Sequence, residues 1–215
     1  MSKLTKALTA AAGNAGESLY AEDVFSTYLY TGNSSSGSTQ ANGLDLNGEG
    51  GLVWIKTRPS GNNLLFDTER GGNNYLTSNG TSAAATGTDG ISFLSNGWST
   101  SPNGVYDLNS SGVKYVSWSF RKAEKFFDVV TYTGNGSDQD ISHNLGSTPG
   151  FIIIKATSTT GNWSCWHSAL NASSNNYILL NYTNSAGGNT VRDVNSSTFE
   201  VYGNYPDEGS NGVSY

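Results

Sequence analysis

Only one residue of this chain is a cysteine, Cys165, so no disulfide forms within it. Stability has to come from burial, strand pairing or association instead. Cys165 lies in Trp163-Ser164-Cys165-Trp166-His167, where it is expected to pack as a small apolar side chain. Charge is scarce as well: 13% of residues are Asp, Glu, Lys or Arg, against roughly 25% in an average soluble domain. So little charge argues against a self-repelling, disordered chain. Lys and Arg number 11 against 17 acidic residues, for a net charge of −6, and no basic run is interleaved with aromatics. A phosphate backbone meets no positive track, so nucleic acid is not an expected partner. No stretch approaches the roughly 18 apolar residues of a membrane helix, so membrane insertion is not expected either. Lys3, Lys6 and Ala10-Ala11-Ala12 carry parts of a secretory signal, but Thr5, Lys6 and Thr9 interrupt its apolar region.

What fills the space is Gly (27 residues), Asn, Ser and Thr, together with 12% aromatics that include 5 Trp and 12 Tyr. Four prolines, few helix formers after residue 20 and closely spaced Gly/Asn/Ser clusters predict short strands joined by turns, an all-β chain. Residues 1–20 differ from the rest. Ser2 suits a helix cap. Leu4, Ala7, Leu8 and Ala11 fall on one helical stripe, and Gly13 supplies a stop. About eleven residues do not hold a helix alone in water, which makes the stripe a candidate docking segment; a frayed terminus is the alternative.

From residue 23 the chain resembles itself. Tyr30-Thr31-Gly32-Asn33 recurs as Tyr132-Thr133-Gly134-Asn135, and Gly51-Leu52-Val53-Trp54-Ile55-Lys56 as Gly150-Phe151-Ile152-Ile153-Ile154-Lys155. Gly61-Asn62 returns as Gly161-Asn162, Asn73-Asn74-Tyr75-Leu76 as Asn175-Asn176-Tyr177-Ile178, and Gly112-Val113-Lys114-Tyr115 as Gly212-Val213-Ser214-Tyr215. Five matches in one order predict two tandem domains, 21–122 and 123–215, each a β-sandwich or jelly roll. Val116, Trp118 and Phe120 alternate with Tyr115, Ser117 and Ser119, predicting a buried aromatic face and a wetter serine face. Phe127, Val129 and Thr131 alternate with Phe126, Asp128, Val130 and Tyr132 and predict the first strand of the second copy. That copy stops where the first continues into Val116–Phe120. The missing strand would leave a bare sheet edge, and the expectation is a longer natural protein of which this is the N-terminal part.

Three blocks carry a family likeness: Tyr20 to Asn33, Gly51–Lys56 through Leu65 to Gly71, and Trp118 to Gly136. They resemble tail-fibre-like virion structural proteins of marine phages, found in cyanophages and pelagiphages, with concanavalin-like folds. The likeness covers nearly the whole chain. It implies an N-terminus that attaches to the virion through another phage protein, such as a tail adaptor or nozzle. It further implies a homotrimeric fibre in the virion tail whose later parts reach toward the host.

Catalytic sets are sparse. Asp67 and Glu69 form the best carboxylate pair, but Arg70 adjoins them and a solvated surface pair is the simpler reading. Cys165 and His167 share a strand face without an acidic orienter. The oxygen-rich loop Gly134-Asn135-Gly136-Ser137-Asp138-Gln139-Asp140 has partial calcium-loop character, yet lacks the full spacing. His143 and His167 give no zinc pattern. The chain is therefore expected to be no enzyme and to carry no metal or cofactor. Asn79-Gly80-Thr81 and Asn181-Tyr182-Thr183 match a glycosylation triplet that this composition generates freely. A host-surface glycan is a further candidate partner, with Trp98, Trp163 and Trp166 as candidate sugar contacts, although packing in a core is the simpler reading of each. The leading expectation is a tail fibre or spike protein supporting host adsorption. A capsid decoration or vertex protein, and a free lectin-like module, are the alternatives.

Overall fold

Alternating apolar residues and frequent turn formers make short strands the favoured state of this chain. The computed structural model describes residues 19–35, 37–58, 61–87, 90–101, 108–170, 177–183, 187–188, 191–203 and 205–215. The docking candidates Leu4, Ala7, Leu8 and Ala11 lie outside them. One short helix, α1 (Ala21–Val24), precedes β1 (Phe25–Thr31), β2 (Thr39–Ala41), β3 (Gly51–Thr57), β4 (Asn63–Asp67) and β5 (Asn74–Thr77). Next come β6 (Ala85–Thr86), β7 (Ile91–Leu94), β8 (Gly97–Thr100) and β9 (Lys114–Arg121). The second half holds β10 (Gln139–Ser142), β11 (Phe151–Lys155), β12 (Trp163–His167), β13 (Ile178–Leu179), β14 (Val191–Arg192) and β15 (Thr198–Val201). The protein is all-β, and its strand pairs are antiparallel.

In the first half, a six-stranded sheet ordered β1-β9-β3-β4-β5-β6 packs on the three-stranded sheet β2-β8-β7. Val53, Ile55, Leu64 and Phe66 of the large sheet meet Ile91 and Trp98 of the small one, with Leu44 and Leu46 filling the gaps. The second half encloses a smaller core between β10-β15-β14 and β11-β12-β13, built from Ile141, Ile154, Trp166, Val191, Phe199 and Val201.

The repeated motifs turn out to be one bonded device made twice. Tyr30 stacks on Tyr115 at 4.8 Å between ring centroids, and Tyr132 on Tyr215 at 5.0 Å. The Tyr30 hydroxyl donates to the Leu108 carbonyl at 2.9 Å, and that of Tyr132 to the Glu208 carbonyl at 2.7 Å. The Tyr115 and Tyr215 hydroxyls accept from the Ser110 and Ser210 N–H groups, each at 3.0 Å. The Gly32 and Gly134 N–H groups donate to the Val113 and Val213 carbonyls at 2.8 and 2.9 Å. A Cβ on Gly32 or Gly134 would lie 2.1 or 2.4 Å from the Ser110 or Ser210 carbonyl oxygen, so the close approach requires glycine. A second device also recurs. Asn79 accepts from the Asn63 N–H at 3.0 Å and donates to the Asn62 side chain. Asn181 likewise accepts from the Trp163 N–H at 2.9 Å and donates to Asn162. The two asparagines singled out as triplet acceptors thus staple equivalent β-hairpins.

Two expectations about strands are corrected. On β9 the serines, not the large side chains, face the core: Ser117 and Ser119 are fully buried with Tyr115, while Val116, Trp118 and Phe120 are half-buried on the outer face. β9 lies between β1 and β3 under the second sheet, where small residues let the layers approach. Asn42 donates to the Ser119 hydroxyl there at 2.8 Å. The outer face has room for rings, and Trp54 meets Trp118 edge-on at 5.9 Å. Secondly, the expected strand at 126–132 forms no ladder among the described residues. Only the bridges Ala123–Phe127 and Thr133–Ser214 mark its ends. Its counterpart β1 is held by β9, and among the described residues no strand equivalent to β9 stands beside 126–132.

Candidate functional site: an apolar cleft between the halves

Two layers of contact join the halves. At the connection, Lys122 reaches Glu69 at 2.8 Å on one side and Asp128 at 3.1 Å on the other. These carboxylates hold its ammonium above the ordinary lysine value despite the desolvation that opposes them. Phe120 packs on Phe127 at 5.3 Å. Further along, Trp163 enters a cluster with Leu65 and Leu76, flanked by Leu52, Trp54 and Ala84, and its indole N–H donates to the Gly80 carbonyl at 2.9 Å. Backbone bonds from Ala84 to Thr157 and from Gly161 to Thr81 close that end.

Between these contacts lies a cleft of about 540 Å³. One wall is the outer face of the large sheet, with Leu52, Trp54, Leu65 and Phe120. The other walls are residues 125–132 and 147–155 of the second half. Its polar groups are few. Asp67, at the end of β4, is buried and accepts from the Arg70 backbone N–H at 2.9 Å and from its Nε at 2.7 Å. Arg70 Nη2 pairs with the same carboxylate, whereas Nη1 is buried without a hydrogen-bond partner. Lys155 is buried beside Trp163 and donates to the Ala156 carbonyl at 2.6 Å. Burial pushes its ammonium down to about 8; Asp207 opposes that shift and Arg70 adds to it.

Chemistry expected from the sequence is redistributed. Asp67 and Glu69 do not form a solvated pair: Asp67 is buried under Arg70, and Glu69 turns to Lys122. The alternation of β4 ends at Asp67, so the i, i+2 spacing no longer places both on one face. Cys165 is buried, and desolvation raises its thiol to about 11, so it stays a thiol at neutral pH. The exposed His167 ring accepts from the Ala169 N–H. In the oxygen-rich loop, Asn135 caps a turn by accepting from Ser137 N–H, and Asp138 is taken by Arg192 and the Gly203 N–H. Among the described residues no group of three or more His, Cys, Asp or Glu is placed to hold a metal ion. Nor, among them, is any helix long and apolar enough to cross a membrane.

The three tryptophans offered as sugar contacts need correction. Trp98 is 0%, Trp163 3% and Trp166 4% exposed, so none presents a ring face to a ligand in solution. Each fills a core or the inter-half cluster, where a large ring removes more apolar area from water than at a surface. Sequence reasoning missed the cleft itself, because its walls come from strands about 100 residues apart that only the packing of the halves brings together.

Residues 20–215 match the family described as a domain of unknown function, DUF7483. The chain belongs to the DUF7483 family. No curated protein and no solved structure matches it. The DUF7483 match spans both copies of the tyrosine and asparagine devices and both walls of the cleft.

Proposed function

We propose that this DUF7483 protein is a structural component of a phage virion, the N-terminal part of a tail fibre or spike that supports host adsorption. Its halves, 21–122 and 123–215, act as tandem β-sandwich building units behind an N-terminal docking segment, in a homotrimer. The observation that carries this reading is an apolar sheet face left open. Register puts Phe151, Ile153 and Ile178 on one face of β11-β12-β13, and Leu180, whose N–H bonds the Trp163 carbonyl, continues it. All four side chains are exposed by 40% or more. A contiguous apolar face of this kind marks contact with another protein rather than with water. The duplicated tyrosine and asparagine devices support the same reading, since they make a unit suited to serial repetition.

Electron microscopy of purified phage particles labelled with an antibody to residues 123–215 tests the proposal. Label along the tail is the expected result. Label over the head would replace it with a capsid decoration role, and unlabelled particles would overturn it.

A further inference from the structure

The cleft between the halves is short of hydrogen-bond acceptors. Trp54 Nε1 and Arg70 Nη1, both on side chains that line it, are buried donors without a partner. Lys155 adds a charge to that imbalance. The residue is 6% exposed, and its ammonium, beside the Trp163 ring at 6.0 Å, donates one hydrogen bond, to the Ala156 carbonyl. An ammonium carries three N–H donors, so two are unused among the described residues. The carboxylates of the lining are already engaged, Asp67 by Arg70 and Asp128 by Lys122. One positive charge is left over inside the cleft, and the exposed Lys125 adds a second to its lining. Away from Lys155 the walls are hydrocarbon: Leu52 and Phe120 on the large sheet, Phe127 and Ile152 on the second half. From Phe151 to Lys155, β11 carries that lining over about 13 Å.

We infer that the cleft binds a small amphipathic monocarboxylate, its head group on Lys155 and its apolar tail laid between Leu52 and Phe120 on one side and Phe127 and Ile152 on the other. The polarity of the walls selects this class. A carboxylate offers acceptors alone and one negative charge, which answers both the idle donors and the unpaired ammonium. A neutral or cationic amphiphile brings no charge that Lys155 can use. A peptide brings one backbone donor with nearly every acceptor, so it leaves the shortage of acceptors in place. Burial of an ammonium without a counter-ion costs free energy that a bound anion recovers, and the walls take the apolar tail out of water. Arg70 repels the Lys155 ammonium as well, and an anion on Lys155 offsets that repulsion. The volume, about 540 Å³, lies within the roughly 300–1,000 Å³ of small-molecule sites.

Calorimetric titration of the full chain at neutral pH with decanoate, decan-1-ol and decyltrimethylammonium tests the inference, with amide NMR shifts followed in parallel. Decanoate is expected to bind at least about tenfold more tightly than decan-1-ol, as one charge-assisted contact implies, and decyltrimethylammonium not at all. Shifts on adding decanoate should fall on β11 and on residues 125–132. Lys155→Met should weaken decanoate by about tenfold or more and leave decan-1-ol within about twofold, whereas Lys125→Ala should change neither by more than about twofold. Equal binding of the three ligands would reveal a merely apolar void and overturn the inference. So would the absence of heat and shifts with decanoate at about 1 mM, shifts confined to surfaces away from the cleft, or a folded Lys155→Met variant that binds decanoate as before. If that variant does not fold, the three ligands on the unchanged chain decide alone.

Discussion

Lys155 is where a single residue reports most on its surroundings. Its ammonium is buried at the cleft with one carbonyl partner, and the desolvation that lowers it to about 8 from 10.5 means that folding favours the neutral amine. Between those two values the unfolded chain binds more protons than the folded one, so stability rises as pH increases from about 8 toward 10. Tyr30 and Tyr132 act in the opposite direction. Burial holds both well above the ordinary tyrosine value of 10, so their contribution is complete below pH 10 and is lost above it. Cys165, raised from 9 to about 11, also opposes the gain above pH 9, so denaturation midpoints measured from pH 7 to 11 are expected to climb past pH 8, to level off above pH 9 and to turn down above pH 10. Lys155→Met should flatten the climb while keeping the downturn; a climb that persists in this variant would rule Lys155 out as its source. The tyrosine pairs and Gly32/Gly134 were visible in the sequence as recurring Tyr-Thr-Gly-Asn and Gly-Val-x-Tyr. Their purpose was not, because the partners are backbone atoms about 80 residues away.

At the scale of one strand, β9 shows how alternation locates faces without saying which is inside. Its period of two was legible, and so were its limits. The assignment of Trp118 and Phe120 to the interior was reversed, because the inner face lies tight under the second sheet and takes the small serines, while the outer face is only partly covered by the second half and has room for rings. The Ser117 hydroxyl is buried without a hydrogen-bond partner, and leaving a polar group so costs about 1–3 kcal/mol. Ser117→Ala is therefore expected to be neutral or to stabilise by up to about 1 kcal/mol. Ser117→Leu, which forces bulk between the layers, should cost about 1–3 kcal/mol. Urea titrations distinguish these outcomes, and a stabilising leucine would show that the layers are not in close contact at this point. The stretch 126–132 teaches the complementary lesson: its alternation matches that of a strand, yet a strand exists only where a neighbour supplies the bonds.

For the whole molecule, the arrangement of the halves rests on a small apolar cluster more than on charge. The Lys122 pairs are partly exposed, and such bridges contribute roughly 0–1 kcal/mol each. Trp163 is buried between the halves and hydrogen-bonded across them. Trp163→Ala should cost about 3–5 kcal/mol and should speed tryptic cleavage after Lys122 and Lys125 at the connection. Loss of less than about 1 kcal/mol with unchanged cleavage would mean that the cluster is not what holds the halves. The counterpart of Trp163 in the hairpin register is Asn63, a departure from the repeat that marks the second half as the one that inserts.

The sequence by itself determined the all-β class and the recurrence of the tyrosine and asparagine motifs, since these depend on local alternation, on turn-forming composition and on internal similarity. It could not determine which face of β9 is buried, that Asp67 and Glu69 part company, or that an apolar cleft opens between the halves. Those outcomes depend on which sheet covers which face and on how residues 125–132 and 147–155 pack against the large sheet. Burial is a property of what packs opposite a residue, and only the tertiary structure supplies that neighbour.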